Sequence, residues 1–420
     1  MAGNSEDRNP EANVLATMSP ARVLMASILF VTLLVSGAWA AAVKYNTLYK
    51  FKGRDDGSRP IAGLIFDSAG NLYGTTVEGG AEGDGTVFML TPTGMERVIH
   101  SFTGKKGILP YASLVFDADG SLYGTTVEGG ADDWGTVFKL SPNGDGSWTE
   151  SVIHSFNSDG TDGKEPYAAL IIDTAGNLYG TTYGGGAYDC GTVFKLTQNE
   201  DGSWKETVLH SFNFRDGKFP DAALTLGSDG DLYGTTFAGG SNGGYGTVFK
   251  LMPNGEETVI HSFSRDHGDG VYPYGGVLFD SEGNLYGTTS AGGSHLESCN
   301  GSGCGIVFRL IPKADGSWTE RVLHSFSGTD GASPLSGVTL DTAGNVYGAT
   351  ALGGSYNFGT VYELKSGANG RWKETVLHSF RNHPGDNPDA GVIFDGHGSF
   401  YGTTLGDGAS NHGSVFKITP

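Results

Sequence analysis

The sequence predicts an all-β fold, a seven-bladed β-propeller of four-stranded antiparallel blades, on three observations. A version of L-Y-G-T-T recurs seven times, starting at Leu72, Leu122, Leu178, Leu232, Leu285, Val346 and Phe400, each time followed by G-G and then G-T-V-F or a close variant. The period of about 54 residues is that of one supersecondary unit copied round an array. Each copy holds four short apolar or β-branched runs bounded by Gly, Asp, Asn or Pro, the pattern of four short strands. The third observation is a phase offset. Asn46 to Phe51 matches the last run of a unit (L-H-S-F), whereas the chain ends after Ser414-Val415-Phe416-Lys417-Ile418, the third run of one. The N-terminal strand is therefore expected to complete the last blade, closing the ring and removing an exposed sheet edge.

The elements follow in order. No charged residue stands between Arg22 and Lys44; the apolar stretch Val23 to Val35 gives way to Ser36-Gly37 and then Ala38-Trp39-Ala40. Residues 1–40 therefore read as a secretory signal cleaved after Ala40, or alternatively as an uncleaved N-terminal anchor. Glu6, Asp7 and Glu11 are unusual ahead of a signal, and a start at Met18 would leave a short basic leader with Arg22. Residues 43–420 form the propeller.

In the third unit, Ala169 to Asp173 is the inner strand, Asn177 to Thr182 the second, Thr192 to Leu196 the third, and Val152 to Phe156 the outer strand of the preceding blade. The turn between inner and second strands is Asp-x-x-Gly, with Gly at 70, 120, 176, 230, 283, 344 and 398. Asp opening the turn and Gly in the left-handed position suit a type I turn with an αL residue; Gly227 alone replaces the Asp. Loops from outer strand to next inner strand, and from second to third strand, share one face, the top.

These residues resemble the tandem GloVer repeat, Y-G-T-T-x-x-G-G followed by G-T-V-F-K-L and a later S-F, over about residues 45–420. The resemblance implies exported bacterial repeat proteins held by varied anchors, without a settled biochemical activity. No anchor sequence follows the repeats, so the N-terminus is the expected attachment point.

Composition narrows the partners. With 46 acidic against 26 basic residues the net charge is −20, which repels nucleic acid and anionic lipid head groups. A neutral glycan, a cation or a protein partner is expected; a membrane enters only through an uncleaved N-terminal segment. The chain is expected to be monomeric and secreted, periplasmic or at the cell surface. Three cysteines are present; Cys299 and Cys304 are close enough in one loop to form a disulfide, leaving Cys190 unpaired.

A residue found in every copy serves the scaffold, so function is sought in departures. The histidines of L-H-S-F, from His100 to His378, stand too far apart around a ring to share one ion and are expected to be hydrogen-bonded between blades. The Y-G-T-T hydroxyls are expected to find partners between packed sheets, and Trp148, Trp204, Trp318 and Trp372 to pack on blade edges. The outer-to-inner loops carry Asp56, Asp162, Asp216, Asp269 and Asp330, either as ordinary turn residues or as ligands of a hard cation such as Ca²⁺; Lys106 and Pro384 take that place in two units. Glu78, Glu82, Asp84, Glu128, Asp132, Asp133 and Trp134, with Lys106 between them, crowd onto the top loops of the first two blades. They form either a sugar-binding or acid–base site or a solvated acidic rim. The longest such loop, Ser290 to Gly305, belongs to blade five. No nucleophile elbow, H-E-x-x-H motif or phosphate loop occurs. The expected function is a binding scaffold for a glycan or protein. The alternative is an extracellular carbohydrate-active or lactonase-type enzyme using top-face carboxylates, with calcium as the one cofactor considered.

Overall fold

A computed structural model of the protein describes residues 43–157, 159–383, 385–406 and 411–420. The N-terminal segment 1–40 and Pro384 lie outside these. Among the described residues no helix is long and apolar enough to cross a membrane.

Seven four-stranded antiparallel sheets make up the ring. In blade one the strands run outward as Ile65–Phe66, Leu72–Thr76, Thr86–Leu90 and Glu96–Ser101. Blade seven takes three strands from the C-terminus, Ile393–Phe394, Phe400–Thr404 and Ser414–Thr419, and its outer strand from the N-terminus. That fourth strand, Lys44–Lys50, pairs antiparallel with the last, Lys44 facing Thr419 and Lys50 facing Ser414. The inner strand of each blade is only two residues long.

Both faces of each sheet are buried against neighbours, which explains the recurring residues. The S-F phenylalanine of each blade meets the aromatic ring of G-T-V-F in the next edge-on. Phe102 lies 5.0 Å from Phe138, Phe212 5.0 Å from Phe249, and Phe51 5.0 Å from Phe88 across the closure. All of these rings are essentially inaccessible to solvent, and edge-to-face pairs add about 0.5–1.5 kcal/mol each beyond area burial. The Gly of Y-G-T-T makes room for that ring: a Cβ on Gly180 would stand 2.6 Å from Phe194 Cζ and 2.8 Å from Leu170 Cδ2.

The two threonines divide the hydroxyl bonding. The second pairs within the blade, as Thr76 with Thr86 at 2.8 Å. The first donates to a channel-lining carbonyl of the next blade: Thr75 to Ala112, Thr125 to Ala168, Thr181 to Ala222, and Thr403 to Ala62 across the closure. Blade six has Ala349 at this position. In the inner turn, Asp67 accepts from the backbone N–H of Ala69 and Asn71 and from the Tyr73 hydroxyl. The tryptophans lie edge-on to the tyrosine of the preceding blade, Trp148 on Tyr73 and Trp204 on Tyr123. Cys299 and Cys304 form a disulfide and Cys190 is a buried free thiol.

Candidate functional site at the channel mouth

In every unit the outer-to-inner loop ends in the same way, on a left-handed residue followed by proline. The residue before its proline holds a left-handed φ: Arg59, Leu109, Glu165, Phe219, Tyr272, Ser333 and Asn387, all between 49° and 63°. A non-glycine residue there is strained, and the strain is held by two backbone bonds. The N–H of Phe219 donates to Cys190 O, and its carbonyl accepts from Phe237 N; Tyr272 repeats this with Tyr245 O and Ser290 N. The loops of neighbouring blades are thereby tied into one rigid rim.

On that fixed backbone three positions per blade vary in side chain. They are the left-handed residue, the residue after the proline (Ile61, Tyr111, Tyr167, Asp221, Tyr274, Leu335, Asp389), and the residue after Y-G-T-T (Val77, Val127, Tyr183, Phe237, Ser290, Ala351, Leu405). The post-proline residues and those just after them line a central cavity of about 330 Å³. Blades three to five put aromatic rings at these positions. Tyr183 stacks on Phe219 at 4.2 Å, Tyr167 meets Tyr183 at 5.5 Å and Tyr111 at 5.3 Å, and Phe237 lies 4.7 Å from Tyr274 and 4.9 Å from Tyr272. Blades six, seven and one carry Leu335, Ser333, Ala351, Asn387, Leu405, Ile61 and Val77 instead. The mouth thus has an aromatic side and an aliphatic or polar side.

Two carboxylates stand inside it. Asp221 belongs to blade four and Asp389 to blade seven, equivalent positions three blades apart and hence on roughly opposite walls. Burial pushes Asp221 up to about 7 and Asp389 up to about 6, the latter against the pull of Arg59 and with a further push from Asp386. Inside the narrow channel each faces protein in most directions although part of its surface still meets solvent, so desolvation is the dominant cause. Burial also raises the phenol of Tyr167 to about 12, with Glu165, Tyr111 and Asp221 adding to it. The result is a cup of ring faces and hydroxyls with a carboxyl that carries its proton near neutrality.

The acidic residues of blades one and two are placed differently. Glu78, Glu82, Glu128, Asp132 and Asp133 are exposed, and most of the set is engaged locally. Glu78 pairs with Arg59 at 3.0 Å, Asp84 accepts from Gly104 N and Asp133 from Gly129 N. Lys106 reaches Glu150 at 3.2 Å. Trp134 is half-buried against the core between blades two and three, beneath the Lys164 ammonium. The structure does not gather this group into one pocket.

Nor do the loop aspartates meet at the mouth. Asp56, Asp162, Asp216, Asp269 and Asp330 each cap their own loop, accepting from the N–H of Lys52, Asn157, Asn213, Ser264 and Ser327. Four of them face the L-H-S-F histidine of the same unit: His154 with Asp162, His210 with Asp216, His261 with Asp269 and His324 with Asp330, at 3.0–3.4 Å. Asp56 receives the Tyr49 hydroxyl. The residues that sequence reasoning missed are Asp221 and Asp389. Their signal was the column of residues after the loop proline, where five copies carry Tyr, Ile or Leu.

Ring and mouth together define a repeat protein of the seven-bladed propeller class. The Gloeobacter/Verrucomicrobia repeat matches residues 38–157, 145–299 and 297–420, and the chain belongs to that family. No curated protein matches it. Among solved structures it is similar to the extracellular domain of a protein assigned as a hybrid two-component system from B. thetaiotaomicron. That match has 12% identity and a TM-score of 0.54, covering 89% of this chain and 39% of that one. A protein assigned as a 6-phosphogluconolactonase from Bacteroides uniformis matches at 13% identity and TM-score 0.50, over 75% of this chain and 84% of that one. A gluconolactonase from Xanthomonas campestris matches at 12% identity and TM-score 0.44, over 90% and 89%. These likenesses concern the fold.

Proposed function

We propose that the protein is an exported binding scaffold that holds a neutral glycan at its channel mouth, on the aromatic wall of blades three to five. The observation that carries this reading is the concentration of Tyr167, Tyr183, Phe219, Phe237, Tyr272 and Tyr274 on one side of a rim set in all seven units by the same left-handed residue before proline. Partly exposed ring faces stack on the apolar faces of sugars, and phenol and carboxyl groups orient the hydroxyls. The acidity of the chain fits an uncharged ligand better than an anionic one. A glycan array with the Tyr167→Ala and Tyr274→Ala variants alongside tests the proposal. Signals lost in both variants support it, and signals that persist in both refute it.

A second reading rests on Asp221 and Asp389. Two carboxyls held above their usual range on opposite walls of one channel suit general acid and base roles in opening a lactone or a glycosidic bond. Turnover of sugar lactones that vanishes in Asp221→Asn would favour it over simple binding.

A further inference from the structure

Away from the mouth, the outer rim holds a second set of groups that the glycan reading does not use. His154, His210, His261 and His324 of L-H-S-F each face an aspartate from the loop that follows their strand, and the next blade's outer strand brings a glutamate to the same junction. At the junction of blades three and four, ligand atoms of His210, Asp216 and Glu257 all lie within 4.8 Å of one another; at the next junction His261, Asp269 and Glu320 do the same.

The distances within these triplets do not suit direct hydrogen bonding. His210 Nε2 is 3.4 Å from Asp216 Oδ2, and His261 Nε2 is 3.4 Å from Asp269 Oδ2, beyond the roughly 2.7–3.2 Å of an N–H···O bond. All four of His210 Nε2, His261 Nε2, Glu257 Oε1 and Glu320 Oε1 are buried without a hydrogen-bond partner. A tetrahedral ion with bonds of about 2.0–2.1 Å holds its ligand atoms roughly 3.3 Å apart, close to the 3.4 Å between imidazole and aspartate in both triplets, with the glutamate oxygen within 4.8 Å of both. The aspartates are already oriented for ligation by backbone donors, Asn213 N to Asp216 and Ser264 N to Asp269, the kind of outer support that fixes a ligating carboxylate.

The repeat supplies an internal comparison. At the junction of blades one and two, Lys106 stands where five other units carry the aspartate, and its ammonium lies 3.2 Å from Glu150, beside His100. There the chain provides its own cation. At the junction of blades six and seven Tyr45 takes the glutamate position and stacks on His378 at 4.2 Å, so the carboxylate is gone. At the junction of blades five and six His324 and Asp330 close to 3.0 Å, an ordinary hydrogen bond. The junction of blades two and three carries the same residue types, His154 3.3 Å from Asp162 with Glu206 on the next blade. Among the described residues, only the two triplets named above bring an imidazole nitrogen and two carboxylate oxygens all within 4.8 Å of one another.

We propose that these two junctions each bind one borderline divalent ion of the Zn²⁺ class, through His210, Asp216 and Glu257 and through His261, Asp269 and Glu320. One imidazole and two carboxylates suit such an ion. Ca²⁺, which takes six or more oxygens, is poorly served by three ligands of which one is nitrogen. Each ion would join the outer strand of one blade to that of the next.

The test is zinc content and thermal unfolding of the protein after loading with Zn²⁺ and dialysis. About two equivalents per chain are expected to be retained, with a Tm raised by Zn²⁺ and unmoved by Ca²⁺ at the same concentration. The double variant Glu257→Gln/Glu320→Gln is expected to lose both the retained zinc and the Tm rise, and Glu150→Gln to keep them. Retention well below one equivalent, or a rise that survives in the double variant, would overturn the proposal. Co²⁺ bound to the unmodified protein gives a second readout that does not depend on the stability of the double variant. Intense visible bands of four-coordinate cobalt are expected, and the weak spectrum of six-coordinate cobalt would count equally against the sites. Glycan binding does not enter either measurement, so the two proposals fail separately.

Discussion

Replacing Asp221 by Asn should stabilise the protein above neutral pH and leave it unchanged in acid. Burial in the channel disfavours its charge and pushes the carboxyl up to about 7 in the folded chain, from about 3.8 for a free aspartate. Below about pH 4 both folded and unfolded chains hold the proton, and Asp221 contributes nothing to the pH dependence. Between about pH 4 and 7 the unfolded chain releases a proton that the folded one keeps, so stability falls as pH rises; above pH 7 the loss is complete. Three units at about 1.36 kcal/mol each set a ceiling of about 4 kcal/mol. Part of the Asp221 surface meets solvent at the mouth, which screens the charge and brings the expected effect to about 1–2 kcal/mol. The assay is urea unfolding of the protein and of Asp221→Asn at pH 4.5, 6 and 8.5. The variant's advantage should grow across that series. An advantage that is the same at all three values, or that shrinks with pH, would refute a desolvated carboxyl at this position.

Further outcomes concern the scaffold. Gly180→Ala should cost about 1–3 kcal/mol by overpacking, because its Cβ would stand 2.6 Å from Phe194 Cζ; a Tm within a degree of the original would show that the ring can move aside. Phe51→Ala should cost about 3–5 kcal/mol, since Phe51 is 1% exposed and packs on Phe88 across the closure; a loss below 1 kcal/mol would mean the N-terminal strand contributes little to holding the ring. Lys106→Met should destabilise the protein and do so more at pH 8 than at pH 5, because Glu150 is nearly buried and its carboxyl is held below its usual range by His100 and Lys106 against the opposing effect of burial. Equal losses at both pH values, followed by thermal unfolding, would contradict that pairing.

The ring was legible because the sequence repeats itself and because turn chemistry is local. Asp67 and Gly70 report their own turn, and the unmatched runs at Asn46 and Ser414 report the closure without any knowledge of side-chain packing. The site was harder for a physical reason. Charge is visible in a sequence but the direction a side chain faces is not, so the exposed carboxylates of Glu82, Glu128 and Asp132 stood out although they point to solvent. Asp221 and Asp389 were inconspicuous, each a single residue after a proline, and their character comes from six other units closing round them. The aromatic wall is similar: Tyr183, Phe219 and Tyr274 come from three separate loops and meet only once the left-handed residues before the prolines have set the rim. The partners of His154, His210, His261 and His324 were half legible. The Asp lies six to eight residues away in the same unit, whereas the Glu arrives from the next blade.

The claim on which the account rests is that the ligand sits on the aromatic mouth and not on the acidic rim. Once an array has identified a binding glycan, its Kd should be measured for the protein, for Tyr183→Ala/Tyr274→Ala and for Glu128→Gln/Asp132→Asn. Loss of two stacking faces is expected to weaken binding by about tenfold or more, and loss of the two exposed carboxylates to leave it within about twofold. The reverse order, with the rim variant weakened and the aromatic variant intact, would contradict the account.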